Sequence, residues 1–322
     1  MYAAAAGLRR GYYQRRPHLQ RHLRRPVISI GNVAVGGRAK TPLAALVAAR
    51  LREMGERPAI LSRGYARRDA RDGVVVVRDP DGIRADLDRA GDEPLMLARR
   101  LDGIAVLASA SRYLAGRLAE HHFSCTVHVL DDGFQHFALY RDRDLVVIGR
   151  EDLEDPRTLP SGRLREPLDA VSAADAIVSL DDAPVDTLAD GRPVWRARRR
   201  QEPARIAGGA RVDPSSGPVV AVAGTANPRR FFGEISASGW IIAREMPFRD
   251  HHSYSRRDVG GIIDAARTLG ARLVLTTEKD LVRLLPFRPF AVPVAYVPLG
   301  LEIEPPQTFD AWLAAAMEDA RG

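Results

Sequence analysis

Short apolar runs alternate along the chain with longer stretches in which apolar residues recur at helical spacing. The runs typical of buried strands are residues 26–30, 58–61, 73–77, 104–108, 126–130, 145–148 and 176–180. The stretches with apolar residues at three- and four-residue intervals are 41–54, 93–101 and 112–121. Such spacing indicates helices with one buried face. Strands that alternate with helices predict an α/β protein with a parallel sheet flanked by helices.

The alternation stops in a polar segment, residues 181–218, that is rich in proline and arginine, and then resumes. Further strands are predicted at 219–223, 240–245, 272–276 and 290–297, and further helices at 228–238, 255–269, from 278, and at 309–320. We therefore predict a first α/β domain over residues 26–185 and a second, smaller α/β domain over 186–322. Residues 1–25 form a separate basic arm.

The positive charge of the protein is concentrated in this arm and its surroundings. Residues 1–52 contain no Asp or Glu and carry a formal charge of +11, against +7 for all 322 residues. Arginines mixed with tyrosines and leucines over residues 1–25 predict binding to an anionic membrane surface. A solvated basic tail and binding to nucleic-acid phosphates are the alternatives. No apolar run approaches the roughly 18 residues that cross a bilayer, and one cysteine, Cys125, excludes a disulfide within the chain.

Only two of the 48 basic residues are lysines, Lys40 and Lys279. A lysine ammonium is a compact charge that enters a cradle of backbone amides, which the broad guanidinium of arginine does not. Lys40 follows a glycine-rich turn and opens an Ala/Leu-rich helix, which predicts a phosphate-binding loop. The predicted nucleotide-binding residues are Gly36, Gly37, Arg38, Ala39, Lys40 and Thr41. The Thr41 hydroxyl is expected to hold Mg²⁺.

This loop departs from the pattern G-x-x-x-x-G-K-[ST] at two positions, where Ala34 and Ala39 replace glycines. If residue 39 needs a left-handed backbone, alanine costs about 1–2 kcal/mol there. A glycine-rich turn between a strand and a helix, without a nucleotide, is therefore the alternative.

Three acidic or histidine-bearing segments add candidate chemistry. Asp131 and Asp132 end an apolar strand, where they form either a turn or helix cap or the carboxylate site that holds the magnesium ion of nucleoside triphosphatases. Asp92 precedes a predicted helix and is either a helix cap or the base that takes a proton from an acceptor hydroxyl. His251 lies in a polar loop after Asp250, a combination suited to proton transfer but also found on ordinary surfaces.

Taken in order, these segments resemble the tetraacyldisaccharide 4′-kinase family. The segments that carry the resemblance are Ser29-Ile30-Gly31-Asn32, Val35-Gly36-Gly37 with Lys40-Thr41-Pro42, Ser62-Arg63-Gly64-Tyr65, Gly91-Asp92-Glu93-Pro94, Asp131-Asp132-Gly133-Phe134-Gln135-His136, residues 159–167, Ala223-Gly224 with Asn227-Pro228 and Arg230-Phe231-Phe232, Asp250-His251-His252 and Thr277-Glu278-Lys279-Asp280. They span about residues 26–284. Each segment is weakly specific by itself, whereas the ordered set is highly specific.

The resemblance implies a P-loop kinase that moves the γ-phosphate of ATP, with Mg²⁺, to the 4′-hydroxyl of a tetraacylated glucosamine disaccharide 1-phosphate. It implies a peripheral enzyme at the cytoplasmic face of the bacterial inner membrane, without nucleic acid or an obligate protein partner. Asp92 is the implied general base, with His251 as its partner from the second domain across a closing nucleotide cleft. The other implied site residues are Lys40 and Thr41 in the loop, Asp131 and Asp132 near Mg²⁺, and Arg63, Glu93, Gln135, His136, Arg165 and Glu166 in the active site.

Two other functions remain open at this point. One is a degenerate relative that binds lipid or nucleotide without phosphoryl transfer, which Arg38 and Ala39 motivate. The other is a P-loop kinase that acts on a different sugar or lipid acceptor.

Overall fold

Two units, each with its own β-sheet, make up the described part of the chain. The computed structural model describes residues 2–36, 39–64, 67, 73–207 and 209–321. Unit 1 consists of Met1–Arg199 together with Leu301–Gly322, and unit 2 is Arg200–Gly300. The predicted α/β class, with a mostly parallel sheet flanked by helices, is confirmed.

Fifteen strands are found in the described residues. They are β1 (Val27–Gly31), β2 (Pro58–Ser62), β3 (Val75–Asp79), β4 (Gly82–Ile83), β5 (Ala105–Ala108), β6 (Val127–Asp131), β7 (Arg143–Gly149), β8 (Ala176–Leu180), β9 (Val194–Gln201), β10 (Arg205–Ile206), β11 (Val219–Ala223), β12 (Ile242–Pro247), β13 (Leu273–Thr277), β14 (Val294–Val297) and β15 (Leu299–Glu304).

Eleven α-helices are found in the same residues. They are α1 (Tyr2–Gln14), α2 (Lys40–Glu53), α3 (Leu87–Ala90), α4 (Asp92–Arg100), α5 (Arg112–Phe123), α6 (Arg150–Glu154), α7 (Asp186–Ala189), α8 (Pro228–Ala237), α9 (Arg256–Thr268), α10 (Glu278–Leu284) and α11 (Pro306–Asp319). Short 3-10 helices occur at Pro17–Leu19, Leu168–Ala173, Pro214–Ser216 and Leu285–Phe287.

The sheet of unit 1 has the strand order β15-β9-β8-β7-β1-β6-β2-β5-β3-β4. Neighbours from β9 to β5 are parallel, and β3 and β4 form an antiparallel edge. Strands β1, β2, β5, β6 and β8 are buried along their whole length, which explains their continuous apolar sequences.

The central position of β1 decides where the candidate site lies. It pairs in parallel with β7 on one side and β6 on the other, with Ile30 opposite Asp131. The carboxyl ends of β1 and β6 therefore meet at one edge of the sheet. Ligands of open α/β sheets bind at that edge.

The end of the first unit differs from the predicted domain boundary at residues 185 and 186. Strand β9 extends the first sheet beyond that point, and α11 belongs to the same unit. Trp195 of β9 packs against Phe309 and Trp312 of α11, with ring centroids 5.1 and 5.4 Å apart. These aromatic contacts explain why the last residues of the chain belong to unit 1.

The basic arm forms a helix, α1, followed by a segment that packs on unit 1. The side chain of Leu23 lies against Gly116 of α5, where a larger residue would not fit. Leu8 and Tyr12 are exposed, at 74% and 45%, whereas Arg10 is buried. In the part of the chain that the structure describes, no helix has the length and apolar character needed to cross a membrane.

The sheet of unit 2 has the order β10-β14-β13-β11-β12, in which only β10 is antiparallel to its neighbour. Alternate residues of β11 face two apolar clusters. Val219 and Ala221 pack with Phe231 and Phe232 of α8. Val220 and Val222 form the second cluster, with residues from α9 and α10.

Candidate functional site

The loop between β1 and α2 has the backbone of a tight cradle. Gly36 has φ +98°, and Ala39, immediately before α2, has φ 55° and ψ 21°. Ala39 therefore adopts the left-handed conformation that disfavours any residue with a Cβ, at about 1–2 kcal/mol. Two predicted loop residues, Gly37 and Arg38, lie outside the described residues, as does Tyr65.

Lys40 lies with its ammonium over this loop. Its Nζ is 3.0 Å from Oδ1 of Asn32, 3.4 Å from Oδ1 of Asp132 and 3.5 Å from the main-chain oxygen of Gly36. The side chain is largely buried. The cation is thus fixed at the amino end of α2, where the helix dipole and unpaired amides also favour an anion.

Thr41 and Asp131 meet where β6 ends. The Thr41 hydroxyl is 3.2 Å from Oδ1 of Asp131, and the Ser62 hydroxyl at the end of β2 is 3.5 Å from Oδ2. Burial, together with the negative charges of Glu93 and Asp132, raises the pKa of Asp131 to about 7, although Lys40 opposes this shift. Negative charge is therefore crowded at this point of the sheet edge.

Asp132, in contrast, is paired directly with cations. It has φ 56°, is half-buried, and accepts bonds from Nη1 of Arg165 at 2.8 and 3.0 Å. Burial alone would raise the pKa of Asp132, but Lys40 and Arg165 outweigh it and lower the pKa. The two adjacent aspartates thus have pKa values shifted in opposite directions.

Gln135 and Glu166 connect the loop to the region behind it. The Gln135 amide donates to the main-chain oxygen of Asn32 at 2.8 Å and to Oε2 of Glu166 at 3.0 Å. Its own oxygen accepts from Arg165 at 3.4 Å. Glu166 is buried and is held by both nitrogens of one side of the Arg10 guanidinium.

Asp92 and Glu93 open α4 in the same unit. Gly91, with φ +82°, turns the chain into the helix, and the buried Asp92 carboxylate accepts the N–H of Glu93 at 2.9 Å. The charge of Glu93 acts on Asp131. The structure therefore brings Glu93 into the electrostatic range of the strand-end carboxylates.

His136 lies among arginines that come from four different segments. Burial lowers its pKa to about 3, and the charges of Arg112, Arg141, Arg9 and Arg63 contribute in that order. Arg63 is exposed, whereas Arg112 is almost fully buried. This region of unit 1 is strongly electropositive and suits an anionic ligand.

Two of the residues that shape this site were not among the predicted ones. Asn32 contacts Lys40, and Arg112 begins α5 with a side chain whose pKa burial lowers to about 10, against the attraction of Asp132. Its Nη1 donates to the main-chain oxygens of Ser109 and Ala110 at 3.3 Å. The sequence did offer one indication of the role of Arg112, since an arginine there begins a predicted helix that follows a predicted buried strand.

Unit 2 carries a separate cluster around His251. The ring nitrogen Nε2 is 2.9 Å from Nζ of Lys279, and Nδ1 is 3.2 Å from Nη2 of Arg283. Arg283 also pairs with the fully buried Asp280 at 3.1 Å. His251 has φ 56°. Its predicted partnership with Asp92, a residue of the other unit, stays a prediction.

A family model and curated relatives place the chain in one family. A family model described as Tetraacyldisaccharide-1-P 4′-kinase matches residues 1–318. The tetraacyldisaccharide 4′-kinase of Koribacter versatilis is 35% identical over 311 residues, which cover 94% of this chain and 92% of the relative. That of Geobacter sulfurreducens is 37% identical over 292 residues, which cover 88% and 82%.

A solved structure agrees with this assignment. The structure of LpxK from Aquifex aeolicus in complex with ATP superimposes with a TM-score of 0.82 at 28% identity, and the match covers 98% of this chain and 96% of that one.

Proposed function

The chain belongs to the Tetraacyldisaccharide-1-P 4′-kinase family, and from that premise we propose that it transfers the γ-phosphate of ATP to the 4′-hydroxyl of a tetraacylated glucosamine disaccharide 1-phosphate, giving lipid IVA. One observation carries this proposal. Lys40 and Thr41 open α2 beside the end of β6, where the Thr41 hydroxyl is 3.2 Å from Asp131. P-loop enzymes hold the phosphates and metal of a nucleoside triphosphate with this combination.

The transfer itself exchanges one phosphorus–oxygen bond for another. The 4′-oxygen bonds to the γ-phosphorus, and the bond from that phosphorus to the oxygen bridging to the β-phosphate breaks, so that ADP leaves with the electron pair. We assign Asp92 the hydroxyl proton, because its buried carboxylate is fixed at the start of α4 by the N–H of Glu93. His251 is the proposed partner of Asp92 from the second unit.

The residues present fit a magnesium ion. Thr41 and Asp131 would hold it with a hydroxyl and a carboxylate, the hard oxygen ligands that Mg²⁺ prefers. The described residues contain no group of three or more His, Cys, Asp or Glu side chains suited to a metal. Magnesium bound beside a nucleotide generally takes further ligands from phosphate and water. When bound, the ion would neutralise charge on the β- and γ-phosphates.

The exposed face of the basic arm supports a place at a membrane surface. Leu8, Tyr12 and Leu19 are exposed, and exposed arginines such as Arg15 and Arg16 lie among them. Apolar side chains that enter the interface and arginines that attract anionic lipid headgroups bind cooperatively to such a surface. We therefore place the enzyme peripherally at the cytoplasmic face of the inner membrane, where an acylated acceptor would be available.

A mass-spectrometric assay tests the proposed reaction. Purified protein, Mg-ATP and the detergent-dispersed tetraacyl disaccharide 1-phosphate should give a product heavier by one phosphate. The same assay of Lys40→Ala should give about 10²- to 10³-fold less product. A wild-type chain that binds ATP but leaves this acceptor unchanged would contradict the acceptor assignment and favour a kinase for another sugar or lipid.

The strained Ala39 favours one alternative, a relative that binds nucleotide or lipid without transfer. Its left-handed backbone places a methyl group where the loop pattern has glycine. The same assay with Ala39→Gly decides the matter. A product from the variant and none from the wild-type chain would support the alternative.

A further inference from the structure

Arg10 behaves differently from the other arginines of the basic arm. Arg9, Arg15 and Arg16 are exposed, whereas Arg10 is buried. Its Nε and Nη2 donate to Oε1 and Oε2 of Glu166 at 2.9 and 2.8 Å, a two-bond pairing across 156 residues of sequence. Such parallel bonds fix orientation as well as charge. Arg10 therefore anchors α1 at one defined place on unit 1.

Aromatic rings complete this anchor and lead toward the phosphate loop. The Arg10 guanidinium lies 4.4 Å from the ring centroid of Phe134 and 4.8 Å from that of Phe137. Phe134 in turn packs so closely on Gly31, the last residue of β1, that no side chain would fit at Gly31. Arg10 therefore lies over Phe134, and Phe134 packs against Gly31 at the start of the phosphate loop.

A chain of polar contacts makes the second connection between Arg10 and the loop. Oε2 of Glu166 accepts from Arg10 and also from the Gln135 amide at 3.0 Å. The other hydrogen of that amide is donated to the main-chain oxygen of Asn32 at 2.8 Å, and Oδ1 of Asn32 is 3.0 Å from Nζ of Lys40. Four successive contacts therefore join α1 to the lysine of the loop.

Removal of the cation would disturb this chain at its origin. The Glu166 side chain is 1% exposed, and removal of the cation would leave a buried charge without its partner, which is strongly destabilising. A displaced Glu166 carboxylate would alter the 3.0 Å hydrogen bond that it accepts from the Gln135 amide. The same amide holds the main chain at Asn32, which would then be held differently.

We propose that Arg10 is a positioning residue for nucleotide binding. Through Glu166, Gln135 and Phe134 it fixes the phosphate loop, so that docking of α1 and binding of ATP favour one another, as coupled sites must do reciprocally. The inference rests on the proposed function only in taking the loop as the site of the ATP phosphates.

The first test is a titration of Mg-ATP into the full-length chain, without lipid or vesicles. Arg10→Gln should weaken ATP binding about 5- to 150-fold, the usual range of coupling between sites. Arg15→Gln removes the same charge from the exposed part of the arm and should leave the affinity unchanged. Arg10→Gln that is folded and binds ATP like the wild-type chain would overturn the proposal.

Arg10→Lys keeps the test decisive if Arg10→Gln does not fold. Lysine preserves the charge beside Glu166 but cannot form the two parallel bonds. A partial loss of ATP affinity is expected, and an affinity equal to that of the wild-type chain would contradict a positioning role.

Hydrogen exchange supplies a readout that a purely structural role of Arg10 would not affect. Saturating ATP should slow amide exchange in residues 8–14 of the wild-type chain, less so in Arg10→Lys, and not in Arg10→Gln. If amide exchange in α1 of the wild-type chain is the same with and without ATP, the coupling is refuted.

These measurements separate the inference from the proposed reaction. Arg10-dependent ATP binding in a chain that phosphorylates no disaccharide would remove the acceptor assignment and leave the inference standing. A wild-type chain that binds no ATP would refute the nucleotide loop, and the inference with it.

Discussion

The two lysines of the chain lie in similar places of the two units but in opposite surroundings. Lys40 is the first residue of α2 and Lys279 the second of α10, and each helix follows a parallel strand. The ammonium of Lys40 contacts three oxygens, from Asn32, Gly36 and Asp132. That of Lys279 contacts a ring nitrogen of His251 at 2.9 Å, and Asp250 more distantly at 3.9 Å.

These contacts suit the two lysines to different roles. Lys40 is suited to binding a ligand, whereas Lys279 acts on the neighbouring side chain of His251. Two of the three oxygens around Lys40, from Asn32 and Gly36, belong to its own loop, and the third comes from Asp132 at the end of β6. Lys279 and Arg283, one helical turn apart, approach the two nitrogens of the His251 ring. Because a neutral imidazole has only one acceptor nitrogen, the two cations compete for one bond. Unit 1 therefore suits phosphate binding, and unit 2 suits the orientation of an imidazole.

The largest effect is expected at Asp92, the proposed proton acceptor in unit 1, when it is compared with His251 in unit 2. Asp92→Ala should lower turnover about 10²- to 10⁴-fold, since general-base catalysis contributes that much, and His251→Ala should lower it less. Both variants should retain ATP affinity in a binding titration. A smaller loss in Asp92→Ala than in His251→Ala would reverse the two assignments.

The next largest effect on turnover is expected from replacing the two lysines. Lys40→Ala should lower turnover about 10²- to 10³-fold, as expected for one preorganised charge at a transferring phosphoryl group. Lys279→Ala, the matched change in unit 2, should cost less and leave ATP affinity intact. Wild-type turnover in Lys40→Ala, measured on protein with an unchanged circular-dichroism spectrum, would exclude this lysine from the mechanism.

The crowded carboxylate of unit 1, Asp131, predicts a free energy of unfolding that depends on pH. The pKa of Asp131 is raised from 3.8 to about 7, so between these values the native state binds a proton that the unfolded state lacks. This contribution to the unfolding free energy is present at low pH and lost as pH rises toward 7, at about 1.4 kcal/mol per pH unit.

Asp131→Asn isolates that contribution. Urea unfolding with a chelator at pH 5 and pH 8 should show a smaller pH dependence in the variant than in the wild-type chain. An equal dependence in both proteins would mean that Asp131 is ionised in the native state across this range.

The smallest effect concerns the left-handed residues, Ala39 in unit 1 with φ 55° and His251 in unit 2 with φ 56°. Ala39→Gly relieves about 1–2 kcal/mol of strain but loses about 0.4–1 kcal/mol through the more flexible unfolded chain. We expect a net stabilisation of about 1 kcal/mol and ATP affinity at least equal to that of the wild-type chain. A fall in affinity would show that the Ala39 methyl group contributes to the site.

The core of the phosphate site could be predicted from sequence because its determinants are local. The strand at 26–30, the helix at 41–54 and the strand at 126–130 correspond to β1, α2 and β6 within two residues at each end. Continuous apolar runs mark fully buried parallel strands. The Gly-rich turn lies between β1 and α2, and Lys40 and Thr41 are the first residues of α2.

Other features depend on partners that are remote in sequence. Arg10 looks like any other residue of a basic arm until Glu166 is brought against it. Strand β9 was missed because four arginines interrupt its apolar alternation, and only Trp195 and Ala197 are buried. An edge-proximal strand with one covered face needs few apolar residues, and its partner helix lies more than a hundred residues further along the chain.

The insertion of unit 2 into the sequence of unit 1 has a consequence during synthesis. A ribosome releases the chain from its amino end, and domains fold as units while it does so. All of unit 2, Arg200–Gly300, emerges before Leu301–Gly322. Until then Trp195 lacks Phe309 and Trp312, and the apolar face of β9 is uncovered. The larger unit, although it begins first, is therefore the last to be completed.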